Sequence, residues 1–589
     1  SEFQGKLVGI MGASGAGKTT LMNVLAGNSK PSTGEVRING INLHEENEEL
    51  KGVIGYIPQD DLLIEELTVF QNLYYNAKLC FRDKEDDEIK QLVNKTLYSL
   101  GLGDIKELKV GSPLNKLISG GQRKRLNIAL ELIREPGILF VDEPTSGLSS
   151  RDSENVMDLL RELTLKGKLI FVVIHQPSSE IYKMFDNMII MDEGGYMVYY
   201  GNPVEGVMYF KKLDAQINSE VGECPTCGNV NPELIFNIME AKVVDEYGQY
   251  TDQRKVSPKK WEKKLHENIE LEKIKNADEV HEDPPSSTKI PSWFTQLKIY
   301  TIRDFLSKIS NKQYVALTVL EAPILGFILS YIIRYIPDPT SSNYIFRVNE
   351  NIPIFIFMAL IVALFLGLTV SAEEIFRDRK ILKREQFLNL SKSSYLVSKI
   401  AILVIISAIQ SFLFIIIANN LLEIKNMLFD YWFALFVTSL FANMLGLNIS
   451  ASFNSAVTIY IIIPLLMIPM MILSGAMFPF DKLNRNISSV KKVPLIAEIM
   501  PTKWSYEALM VNQFKNNKYE ERFYEFEKQE SHANFKQVYF IPELEKALEY
   551  VNKHINQTEN PEIRDKVIEE LALDRKSTRL NSSHRLRSR

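Results

Sequence analysis

Long uncharged runs dominate the second half of the chain. Pro353–Ala372 holds 20 residues without a charge, and Ala401–Ala418 is also uncharged. Tyr431–Phe480 runs for 50 residues with no Asp, Glu, Lys or Arg. An α-helix crosses a bilayer core with about 20 apolar residues. The last run is therefore long enough for two crossings, with a break near Ser452–Ser455. Gln313–Ile333 is a further candidate, with only Glu321 charged inside it. The pattern predicts five spans, at about 313–335, 352–372, 396–419, 430–451 and 455–479. Buried helices of a soluble core rarely stay uncharged for so long. Ahead of the first span, Ile302, Phe305, Leu306 and Ile309 recur at helical spacing, with Lys298, Arg303, Lys308 and Lys312 nearby. That predicts an amphipathic connecting helix over 291–312 at the cytoplasmic membrane surface.

Residues 1–311 read differently, as short apolar runs separated by charged and glycine-containing stretches. Lys6-Leu7-Val8-Gly9-Ile10-Met11, Gly137-Ile138-Leu139-Phe140-Val141 and Leu169–Ile174 have the pattern of strands buried on both faces. Composition agrees with a folded, several-domain chain: 589 residues, 46% hydrophobic and 24% charged. The 68 Lys+Arg against 73 Asp+Glu, a net charge of −5, argue against a nucleic-acid partner. Three cysteines cannot build a disulfide scaffold, which fits a reducing, cytosol-facing domain.

Gly12-Ala13-Ser14-Gly15-Ala16-Gly17-Lys18-Thr19 fits G-x-x-x-x-G-K-[ST], between the strand Leu7–Met11 and a helical pattern from Thr20 to Ala26. The glycines let backbone N–H groups turn inward around phosphate oxygens, and the helix N-terminus adds its dipole. Gly12, Ser14, Gly15, Gly17, Lys18, Thr19 and Thr20 are the candidate phosphate-binding residues. Lys18 suits the β/γ-phosphates and the Thr19 hydroxyl suits Mg²⁺. Asp142-Glu143 follows an apolar strand, at the end where α/β sheets hold ligands. Asp142 is suited to Mg²⁺ and Glu143 to polarising the attacking water. Ser119-Gly120-Gly121-Gln122 opens a helix and forms a second anion-binding turn. One nucleotide does not need two such sites in one chain. Two chains facing head to tail do. His175, behind the strand Leu169–Ile174, is a further γ-phosphate candidate.

These motifs, with Gln59 after Tyr56-Ile57-Pro58 and with Ser146-Gly147-Leu148, resemble the ATP-binding-cassette ATPases in the order in which that family carries them. Asp142–Leu148, His175–Ile181 and Gly194–Gly201 narrow the resemblance to the ABCG-type (White-like) half-transporters. On the membrane side, Arg384-Glu385 and Pro501–Leu509 are similar to segments of the same family. The resemblance covers about residues 1–515. It implies an α/β P-loop ABC ATPase domain with a helical subdomain, followed by an all-α polytopic transmembrane domain. It implies ATP and Mg²⁺ as cofactors, Gln59 as a γ-phosphate and Mg²⁺ sensor coupled to the membrane domain, and His175 as the switch histidine. It implies that Ser119 and Gly121 bind the partner chain's nucleotide, in a homodimer or heterodimer. It implies a hydrophobic small-molecule or lipid substrate, exported across a cell membrane. The alternative reading is an ATP-driven membrane regulator or signal transmitter without transported substrate. Ser149 stands where the family usually has Asp.

The domains expected are an ATPase over 1–215, its opening strands missing, and a polar linker over 216–290. The connecting helix and spans follow to 480, then an extracytoplasmic segment over 481–574 before a missing sixth span. Lys576–Arg585 resembles vector read-through, so 575–589 is taken as non-native. The linker holds Cys224-Pro225-Thr226-Cys227, read as a structural turn because no second cysteine pair completes a zinc site. Arg377, Arg379, Lys380, Lys383, Arg384, Lys392 and Lys399 crowd residues 373–399, whereas 336–351 carries only Arg347. The positive-inside rule puts 373–399 and the ATPase in the cytoplasm. Lys482, Arg485, Lys491 and Lys492 then fall outside, against the rule. Glu321, Asn443, Asn448 and Asn454 are polar groups in or beside spans, read as interhelical hydrogen bonds or substrate contacts.

Overall fold

The computed structural model describes residues 2–45, 50, 52–112, 115–214, 221–224, 228–244, 247, 249–268, 290–336, 344–346, 349–385, 388, 390–480, 483–484, 486, 493–554, 564–565 and 568. Cys227, Arg347, Lys482, Arg485, Lys491, Lys492 and the tail 575–589 lie outside the described residues. The chain divides into two compact units. The first takes in Ser1–Leu320, Thr369–Ile406 and Asn443–Tyr460; the second takes in Glu321–Leu368, Ser407–Ala442 and Ile461–Arg589.

The first unit opens with β1 (Leu7–Gly12), α1 (Lys18–Leu25), the short strands β2 (Arg37–Ile38) and β3 (Ile41–Asn42), and β4 (Ile54–Ile57). Three helices follow: α2 (Val69–Cys80), α3 (Asp86–Ser99) and α4 (Gly120–Leu132). Then come β5 (Ile138–Asp142), α5 (Ser150–Leu165), β6 (Leu169–Val173), α6 (Ser179–Lys183), β7 (Asn187–Asp192), β8 (Tyr196–Gly201) and α7 (Pro203–Leu213). Six strands form one sheet in the order β4-β5-β6-β1-β7-β8, parallel except for β8. β1 is buried at every position, which is why its apolar residues run on without alternation. The register pairs Asp142 with Val173 and Gly12 with Met191, so the strands end along one edge. Helices α2 to α4 make the helical subdomain, around Leu73, Val93, Leu97, Leu126 and Ile133. Thr68 and Gln71 close a reciprocal cap at the start of α2.

The charged stretch after α7 departs from the linker reading. It holds α8 (Glu233–Met239), the hairpin β9 (Lys242–Val244) and β10 (Tyr250–Arg254), and α9 (Pro258–Asn268). Ile235, Ile238, Met239 and Trp261 are buried in the same core as the sheet. Trp261 packs edge-on against Phe210 at 5.5 Å. Few apolar positions among many lysines suffice here, and composition averages them away. At Cys224 the backbone N–H donates to the Asn229 carbonyl (2.8 Å) and the carbonyl accepts from Gly228 N–H (2.8 Å), closing a tight turn.

The connecting helix is α10 (Trp293–Ser310). Its predicted apolar residues Ile302, Phe305 and Ile309 are exposed, while Ile299, Tyr300 and Arg303 are buried. It is followed by α11 (Lys312–Ile333), α12 (Ile352–Ser371), α13 (Glu374–Glu385), α14 (Lys392–Leu421) and α15 (Leu428–Ser452). Among the described residues four segments are helical, long and apolar enough to cross a membrane: α11, α12 continuing into α13, α14 and α15. The fifth predicted span forms the shorter α16 (Ala456–Ile472), 17 residues with Pro464 and Pro469 inside it.

The core of the second unit gathers Phe355, Ala359, Leu360, Phe414, Ile415, Tyr431 and Leu435. Small residues let backbones approach. A methyl on Gly326 would come within 2.8 Å of the Phe414 carbonyl oxygen, and one on Gly367 within 2.5 Å of that of Ser439. Beyond α17 (Leu495–Glu498), α18 (Pro501–Asn516) packs onto this core through Leu509. The Tyr431 hydroxyl donates to Gln513 Oε1 (2.7 Å) and the Thr502 hydroxyl to the Met470 carbonyl (2.7 Å). α19 (Tyr524–Phe535) and α20 (Ile541–His554) follow. In the first unit Asn443 is buried and its amide donates to the Leu403 carbonyl of α14 (3.5 Å). Asn448 is exposed and bonds back to Met444 of its own helix (2.8 Å).

Candidate nucleotide-binding site

The loop after β1 turns into α1 through glycines in the left-handed region, Gly15 at φ 81° and Gly17 at φ 84°. Lys18, the first residue of α1, is buried. Its ammonium donates to the carbonyls of Gly12 and Ala13, both at 2.9 Å. Burial lowers its pKa, while the carboxylates of Glu143 and Asp142 act to raise it. The Thr19 hydroxyl bonds the Asp142 carboxylate, whose pKa is raised by burial and by Glu143 beside it. Tyr56, buried near the same carboxylate, is pushed up to about 12. The strand ends thus gather two carboxylates against one ammonium, with the Thr19 hydroxyl beside Asp142: a donor set that fits a divalent cation.

Glu143 sits just past β5 at φ 45°, a conformation that side chains other than glycine rarely take and that clusters at functional sites. Its Oε2 accepts from Gln59 Nε2 at 2.8 Å. The structure therefore brings Lys18, Thr19, Gln59, Asp142 and Glu143 to one edge of the sheet. His175, past the end of β6, is exposed, and Gln176 beside it also has φ 45°. Ser14, Gly15, Thr19 and Thr20 are exposed around the loop.

The Ser119–Gln122 turn closes on itself. Ser119 Oγ accepts from Gln122 N–H (3.2 Å), and Gln122 Oε1 accepts from Ser119 N–H (2.8 Å). Among the described residues the turn's hydrogen bonds run within it and along α4. Gly121 has no room for a side chain, since a methyl there would meet the Asp152 carboxylate at 2.7 Å. Ser149 caps α5 by accepting from Asp152 N–H and donates its hydroxyl to Asp152 Oδ2 (2.9 Å).

Sequence reasoning missed the supports behind Gln59. Lys124 Nζ donates to the Gln59 carbonyl, and Asp61 pairs with Arg123 (2.9 Å) and accepts from Asn127 (2.8 Å). The run of Arg123-Lys124 after the Ser119 turn, and of Asp60-Asp61 after Gln59, was the available signal. The same segment meets α13. Lys380 pairs with Asp60 (2.8 Å), Arg377 with Glu66 (3.2 Å), and Arg384 donates to the Leu62 carbonyl (2.6 Å). A cavity of about 530 Å³ lies here, bounded by residues 59–66, α10, α13 and the start of α14. At its edge the buried Lys399 ammonium faces Asp304 (2.7 Å), Asp378 (2.8 Å) and Glu374 (3.0 Å). Lys399→Met leaves these carboxylates short of their counter-charge. Denaturant unfolding of the purified chain should show a loss of about 3–5 kcal/mol. A loss below about 1 kcal/mol would mean that the carboxylates find water or protons instead.

Comparison with known sequences matches the same parts. The family described as ABC transporter matches residues 3–146, and ABC-2 type transporter families match residues 175–289 and 295–514. The chain thus carries an ABC transporter ATPase domain followed by ABC-2 type transporter membrane domains. Its ATPase domain precedes its membrane domain, the layout of the White and ABCG proteins. Protein white of Ceratitis capitata is 28% identical over 493 residues, 80% of this chain and 69% of that protein. ABC-type transporter claG of Penicillium crustosum is 39% identical over 223 residues, 38% of this chain and 29% of the relative. ABC transporter G family member 28 of Arabidopsis thaliana is 39% identical over 240 residues, 40% and 21%. The aligned part spans less than a third of these last two relatives. With its apolar helices and ABC-2 type membrane-domain match, this chain is a multi-pass membrane protein.

Proposed function

We propose that this chain is a half-transporter that hydrolyses Mg-ATP to export a hydrophobic or amphiphilic molecule across a cell membrane. The observation that carries the reading is the Gln59–Glu143 hydrogen bond beside Lys18, Thr19 and Asp142. Lys18 exchanges its two loop carbonyls for phosphate oxygens. Thr19, Asp142 and Gln59 would hold Mg²⁺, which would supply positive charge to the phosphoryl oxygens. Glu143 accepts the proton of the attacking water, and Gln59 aims it. His175, exposed at the end of β6, contacts the γ-phosphate. The Ser119–Gln122 turn, whose side chains are satisfied within one chain, presents its helix N-terminus to nucleotide held by a second copy or a related chain.

Residues 59–66 carry the state of the site to α13, which by its charge lies on the cytoplasmic side. The test is uptake of fluorescent amphiphiles into inside-out vesicles holding the chain. ATP should drive accumulation, and a transported compound should raise ATP turnover. Turnover with neither effect, across a broad set of amphiphiles, would instead support an ATP-driven regulator without cargo.

A further inference from the structure

β7 ends at Asp192, and the chain turns through Glu193, Gly194 and Gly195 into β8, with both glycines at positive φ. This turn backs the phosphate loop. A methyl on Gly12 would come within 2.5 Å of the Met191 carbonyl oxygen, and one on Gly17 would lie 3.7 Å from Gly195 Cα. Gly12 and Gly17 are the first and last glycines of the loop, so Met191 and Gly195 set its position from behind.

Asp192 is fully buried. Its Oδ1 accepts from Glu193 N–H (2.7 Å) and from Arg254 Nη1 (2.8 Å). The other amino group of Arg254 donates to Glu193 Oε2 (3.2 Å). One planar guanidinium thus spans two consecutive carboxylates of the turn, a task for which arginine is suited and lysine is not. Arg254 comes from β10, outside the six-stranded sheet, where it pairs with Lys242 across the hairpin. Just downstream, Val256 packs on the ATPase core and Trp261 is buried in it.

We propose that Arg254 is a positioning residue for the phosphate loop, through which the β9–β10 hairpin sets ATP affinity. The inference rests on the ATP reading of the site. A buried carboxylate without its partner draws water. The turn must then open, and the loop loses its backing. The N–H groups that receive phosphate lose their aim. Glu143 and Gln59 follow other strands, β5 and β4, and keep theirs. The effect therefore falls on ATP binding and not on the chemical step.

The experiment uses the purified full chain, with phosphate release measured against Mg-ATP concentration. Arg254→Ala should raise KM about tenfold with kcat within about twofold. Arg254→Lys, able to reach Asp192 but not to span both carboxylates, should raise KM about threefold. Leu265→Ala removes a buried side chain of α9, at a position outside the Asp192–Gly195 turn. It should lower the unfolding temperature and leave KM unchanged. If Arg254→Ala fails to fold, Arg254→Lys and Glu193→Gln carry the test in the same direction. An unchanged KM in the Arg254 variants overturns the proposal, as does an equal rise in Leu265→Ala. A wild-type chain that neither binds nor hydrolyses Mg-ATP removes the ATP reading itself, and the proposal with it.

Discussion

Glu143→Gln is expected to lower ATP hydrolysis by about 10²–10⁴-fold and to leave ATP binding intact. Glutamine keeps the shape of the side chain and can still bond Gln59, now 2.8 Å away from Glu143. What it loses is the basic oxygen that takes the proton from water. It also removes the charge that raises the proton affinity of Asp142 and one of the two that raise that of Lys18. Nucleotide should therefore stay bound, unhydrolysed. If two chains share each ATP, the variant should accumulate as an ATP-held dimer, and ADP should hold it less well. Adding Ser119→Arg puts bulk on an exposed turn whose own bonds are local, so the dimer should be lost while the fold persists. Wild-type phosphate release in Glu143→Gln would remove Glu143 from the chemistry.

Lys18→Ala is expected to abolish nucleotide binding in the micromolar range, with a loss of about 10²-fold or more in affinity. A charge-assisted contact to polyphosphate contributes about 1.5–3 kcal/mol, and the ammonium serves more than one oxygen. The empty loop should tolerate the change. Lys18 donates to the carbonyls of Gly12 and Ala13, and water can replace it there. Binding of a fluorescent ATP analogue, followed together with the unfolding temperature, checks both halves. Full binding in a folded variant would refute the loop's role.

The phosphate loop was legible in sequence because its backbone conformation demands glycine at fixed places; Gly15 and Gly17 do take positive φ. Asp142 and Glu143 were legible because a buried parallel strand must be apolar until it reaches the ligand edge. Gln59 was not readable from its own surroundings and entered through resemblance. Its partner lies 84 residues away. Arg254 was not readable at all. It is one cation in a charged stretch, and its role depends on a hairpin register and on a turn 62 residues upstream. The Lys399 cluster is similar, with charges from α10, α13 and α14 meeting only in three dimensions. α18 escaped because its packing uses Thr502 and Gln513 hydrogen bonds beside Leu509, which leaves no apolar stripe to see.

The site's assignment is tested most directly by measuring bound nucleotide and released phosphate in the same sample of purified chain with Mg-ATP. The wild type should release phosphate continuously, Glu143→Gln should retain ATP and release almost none, and Lys18→Ala should retain neither ATP nor ADP. Equal phosphate release by all three would contradict a nucleotide site built from Lys18, Asp142 and Glu143.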